Sequence, residues 1–139
     1  MEAEQVLEKI EKAFVRFSNK DGISPENARI MIYIGETEES PIRFDLFNGE
    51  QFVRLVSMQD DVLQIMFDPF DKSKLVNVFL LNSICKIATK NNYDPYECYM
   101  MITKDIEQNR VVVRFSNKEH KLQEITFDDI FSPESLLKN

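Results

Sequence analysis

The side chains able to do chemistry in this chain are mostly carboxylates, and they come in short clusters: Glu36/Glu38/Glu39, Asp60/Asp61, Asp68/Asp71 and Asp128/Asp129. Paired carboxylates can share a proton, activate a water or hold a divalent cation. Asp68-Pro-Phe-Asp71-Lys-Ser73 begins like a calcium loop. It lacks the oxygen ligands at alternate positions, the central glycine and the closing glutamate that such a loop needs. Nothing in the spacing positions Asp60 and Asp61 against a third acid, so solvated loop charge is the simpler account of these clusters.

Nucleophilic catalysis has little to work with. The one histidine, His120, lies in a polar Lys-Glu-His-Lys stretch that reads as a solvated turn. A Ser–His or Cys–His pair could be built only around it. Cys85 and Cys98 stand thirteen residues apart at apolar-patterned positions, with no CxxC motif. That usage predicts two buried free thiols in a reducing compartment. No GxxxxGK[ST] or GxGxxG string is present to cradle a phosphate. No catalytic residue, metal or cofactor is assigned, and the reading leans away from an enzyme.

What is left is an interaction surface. Phe70 and Tyr93 fall in expected loops, where a large aromatic can anchor a partner. Together with Glu36, Glu38, Glu39, Asp60, Asp61, Asp68 and Asp71 they form the candidate binding set. The net charge of −7 suits another protein with a basic surface as partner. It disfavours a nucleic-acid backbone, which needs a cationic stripe to release counterions. The leading expectation is a non-enzymatic cytoplasmic protein-binding module of the inhibitor, immunity or adaptor type. The alternatives are a small-molecule-binding or carboxylate-dependent hydrolytic domain and, further behind, an Sm-like or OB-like nucleic-acid-binding barrel.

These residues need elements to position them. The 139 residues suit a single domain, and a hydrophobic content of 43% with eleven phenylalanines supplies a core without tryptophan. Val6, Leu7, Ile10, Phe14 and Phe17 make an apolar stripe that predicts an amphipathic helix over 3–19. Glu8 and Lys12 form an i,i+4 pair on its polar face, and Asp21-Gly22 stops it. Strands are expected over 28–34 and 42–46, then a tight turn at Asn48-Gly49 and a strand over 51–57. Further strands are expected at 62–67 and 75–81, with a short helical segment from Asn82-Ser83 to Thr89. Segments 96–103 and 110–115 should pair, 122–127 should form a last strand or helical turn, and 132–138 a short helix.

The fold expected is α+β: the N-terminal helix packed on a mainly antiparallel meander of six to eight strands, open or curled toward a small barrel. The N-terminus has neither the basic start nor the apolar run of a secretory signal, and no stretch has the roughly twenty apolar residues that span a bilayer.

Two self-similarities bear on this reading. Val-Arg-Phe-Ser-Asn-Lys occurs at both 15–20 and 113–118. Its first copy sits in a 3.6-residue pattern and its second in a two-residue pattern, so one should close a helix and the other end a strand. Phe17 and Phe115 should then both be buried, and Val15 less buried than Val113. Separately, 62–84 and 111–130 both read as a strand, a polar turn and an apolar return.

Overall fold

The computed structural model describes residues 3–37, 40–57, 60, 76–119 and 121–126. They form helix α1 (Ala3–Lys20), strands β1 (Ala28–Thr37), β2 (Ser40–Asn48) and β3 (Gln51–Val56), helix α2 (Val76–Lys90), and strands β4 (Cys98–Asp105), β5 (Arg110–Asn117) and β6 (Lys121–Ile125). The strands make one antiparallel sheet in the order β3-β2-β1-β4-β5-β6. Among the described residues β3 and β6 lie at opposite ends of that sheet, which does not close into a barrel.

Both helices bury an apolar stripe in the same core. Ile10, Phe14 and Phe17 of α1 and Phe79, Leu80, Ile84 and Ala88 of α2 meet Ile30, Ile32, Phe44, Leu46, Met100, Ile102, Val113 and Phe115 of the sheet. Burying one such side chain contributes about 1.5–3 kcal/mol. Glu11 ties α1 down electrostatically, accepting from the Lys104 ammonium and, at 2.9 Å, from the Val111 amide.

Residues 76–81, which fall in the strand expected over 75–81 ahead of a separate helical segment, instead open a single helix. The buried set Phe79, Leu80, Ser83, Ile84 and Ala88 follows a 3.6-residue period, and that face outweighs the β-branched and aromatic content of Val-Asn-Val-Phe. The likeness of pattern between 62–84 and 111–130 does not extend to the described parts of the two segments, since 76–84 is helical and 121–125 is a strand. Residues 62–67 and 132–138 lie outside the described residues.

The repeated hexapeptide adopts two conformations, closing α1 and ending β5. Phe17, Phe115 and Val113 are fully buried while Val15 is half-buried.

A different repeat is present. Among the described residues both halves run αβββ, and the first-half residues from α1 to β1 match the second half seventy positions on: Lys20, Pro25, Met31 and Ile32 recur as Lys90, Pro95, Met101 and Ile102. The helix ends are built alike. The Gly22 amide bonds to the Asn19 carbonyl at 3.1 Å and the Ile23 amide to that of Ser18 at 2.9 Å. The Asn92 amide bonds to Thr89 at 3.1 Å and the Tyr93 amide to Ala88 at 2.9 Å. These are two Schellman caps, with Gly22 (φ 70°) and Asn92 (φ 62°) in the left-handed conformation.

The following turns also agree, Asn27 bonding to Ser24 and Glu97 to Asp94, each at 2.9 Å. β1 and β4 pair with Met31 directly opposite Met101, so a local pseudo-two-fold axis passes through that pair. Even the irregularity in the outer strands is shared: the register shifts between Leu46 and Phe47 where β2 meets β3, and between Phe115 and Ser116 where β5 meets β6.

Candidate interaction surface

Since alternate residues of a strand point to opposite faces, one side of the sheet takes both helices and the other carries Arg29, Met31, Tyr33, Arg43, Asp45, Phe47, Tyr99, Met101, Thr103, Val112 and Arg114. That second face mixes polar and apolar side chains, and several of its charged groups are paired. Asp45 is buried and accepts from the Tyr33 hydroxyl at 2.9 Å and from Arg43 Nε at 3.1 Å, while the Arg43 guanidinium lies over the Tyr33 ring. Arg114 is bonded to Asp105, and Arg110 to Glu124 at 3.2 Å. Val112, Thr103 and Ser116 on its β4–β5 side are buried.

The corner of this face at β2 and β3 is different. Phe52 and Leu55 are 50% and 54% exposed, and Val53 between them is 41% exposed. Phe52 packs edge-on against half-buried Phe47, with ring centroids 5.8 Å apart and planes at 75°. Regular alternation would put residues 52 and 55 on opposite faces. The register shift makes Val53 the extra residue, so that Phe52 pairs with Phe47 and Leu55 with Asp45 on one face. An apolar ledge of Phe47, Phe52 and Leu55 results.

The second half of the molecule shows that the fold does not require this ledge. By register, Ser116 stands where Phe47 does, Lys121 where Phe52 does and Glu124 where Leu55 does. The buried anchor is kept, as Val56 and Ile125 both face the core. β6 thus carries the charges that normally blunt a sheet edge against foreign strands, and β3 does not. Its one charge, Arg54, is turned toward the helices: Nε and Nη2 bond Asp21 at 2.8 and 2.9 Å, and the guanidinium covers the Phe17 ring.

Of the sequence-derived binding residues, Glu36, Asp60 and Tyr93 are described, and they lie in different segments of the chain. Asp60 is largely buried in an ion network, 3.4 Å from Lys20 and 3.8 Å from Arg54. Tyr93 is half-buried against the core as the residue completing the α2 cap, where the first half has Ile23. Glu36 lies within β1. Glu38, Glu39, Asp61, Asp68, Phe70 and Asp71, together with His120, are outside the described residues.

Cys98 is buried and Cys85 half-buried, both are free, and burial raises both thiols above their ordinary range. Among the described residues no three His, Cys, Asp or Glu side chains converge to hold a metal ion, and no helix is long and apolar enough to cross a membrane.

No protein-family model, curated protein or solved structure matches the chain.

Proposed function

We propose that this chain is a non-enzymatic, cytoplasmic protein-binding module that receives its partner on the apolar ledge of β2 and β3. The observation carrying the reading is the contrast between Phe47, Phe52 and Leu55 and their polar counterparts Ser116, Lys121 and Glu124. Two strands with the same place in the same unit keep the same inward anchor and differ on the outside, where one shows apolar side chains to solvent. Contiguous exposed apolar surface marks an interaction site, whereas single exposed residues such as Ile106 or Tyr96 do not. The occupant fitted to this corner is an extended segment with apolar side chains, borne by a protein whose basic surface answers the net charge of −7.

The repeat supplies the control variant. Phe52→Lys with Leu55→Glu copies the residues that the second unit carries at the same register, so the fold should accept it. Affinity capture from native lysate, followed by binding of the purified partner, should give one basic protein that wild type retains, that the double variant loses and that dissociates as salt rises. Absence of an enriched partner would remove the reading. Equal retention by the double variant would move the site off the ledge.

A further inference from the structure

The ledge is also complementary to itself. β3 ends the described sheet with β2 as its one neighbour among the described residues. Laid antiparallel against β3 of a second copy across a two-fold axis, Phe52 falls opposite Leu55 of that copy, and Leu55 opposite its Phe52. Residues directly opposite in an antiparallel pair share a face. The extra residue Val53 has already brought positions 52 and 55 to one face, so the two-fold pairing makes two apolar cross-strand contacts on the same side. Arg54 does not block the approach, because Asp21 holds its guanidinium toward α1.

We infer that two copies of this chain associate reversibly, edge to edge, through β3. The two six-residue strands would join the sheets of both copies into one. The inference rests on the ledge assigned above, which self-association would cover in competition with a partner.

Two features set the strength and the salt response. A six-residue edge with three apolar side chains buries well below the roughly 1,200 Å² of a stable interface, so association belongs in the micromolar to millimolar range. Each copy carries a charge of −7, so screening should strengthen the dimer. Capture of a basic partner has the opposite salt response. The two readings therefore stand or fall separately.

The test is sedimentation equilibrium of the full chain from micromolar to millimolar concentration, at low and high salt, for wild type, F52K, L55E and an equimolar mixture of the two variants. Wild type should show a monomer–dimer equilibrium that tightens with salt, and each variant alone should dimerise at least tenfold more weakly. The mixture should recover the affinity. In this register the lysine introduced in one chain faces the glutamate introduced in the other, and the remaining Phe52 stays opposite the remaining Leu55. Amide chemical shifts of wild type should change with concentration along β3 and not along β6. Three results would each overturn the inference: a monomer throughout, a dimer indifferent to both variants, or a mixture no tighter than its components. Amide spectra of each variant that keep the β1 and β4 resonances establish that it folds.

Discussion

Asp21 shows how much one side chain organises. It follows the last residue of α1, accepts two hydrogen bonds from Arg54 of β3, and so ties the end of the helix to the end strand of the sheet. The hydrogen bonds from Arg54 hold its carboxyl below the usual carboxylate range, against an opposing push from partial burial. A carboxylate depressed in the folded state lends stability in full above its unfolded pKa and loses it as pH falls through the lower folded value. Asp105 has the same sign, with the Gln108 amide as its chief cause and Arg114 adding to it. Asp21→Asn should therefore lower stability at neutral pH by about 1 kcal/mol and flatten the acid limb of the stability curve. Urea unfolding from neutral pH down through the carboxylate range checks both, and an unchanged acid limb would separate Asp21 from acid unfolding. None of this pairing could be read from the sequence, because residues 21 and 54 meet only after the hairpin at Gly49 has folded back.

At the scale of elements, local pattern told more than chemistry did. The amphipathic stripe of α1 and the alternation in β2 were legible, since each is written in neighbouring residues, and so was a tight turn at Gly49, although it uses Gly49-Glu50 and leaves Asn48 as the last residue of β2. Helix α2 was not, because Val76–Leu81 is rich in strand-forming types and only contact with the sheet makes Phe79 and Leu80 one turn of a buried face. The ledge was hidden for a related reason. Period two places Phe52 with Arg54 and Val56, and the register shift that reverses Phe52 depends on β2, so the residues alone point to the acidic loops instead.

The two helix caps offer a matched comparison. Gly22 and Asn92 share the left-handed conformation, and a methyl group added at Gly22 would meet nothing within 4 Å. Gly22→Ala should thus cost about 1 kcal/mol from backbone strain alone. Asn92→Gly should relieve the same strain and leave stability equal or higher. Thermal unfolding of the two variants would expose an error in the cap assignment if their signs were reversed.

For the whole molecule, the long-range architecture was the least legible part. The identical hexapeptides lie in unlike elements, whereas the true correspondence keeps only residues such as Lys20/Lys90, Pro25/Pro95 and Met31/Met101. The repeat lies in cap geometry, register and bulge rather than in side-chain identity, and none of those is a string of letters. The seam at Met31 and Met101 has a kinetic consequence. Each unit closes through hairpins of near neighbours, but the β1–β4 pairs join residues about seventy positions apart, which makes theirs the costly loop to close. The units should gain their own hairpins first and zip together late. Met31→Ala and Met101→Ala would then speed unfolding while leaving the refolding rate nearly unchanged, whereas Leu46→Ala within a unit would slow refolding. Stopped-flow chevrons of the three variants would reveal whether this chain folds as one body or as two halves that meet at a pair of methionines.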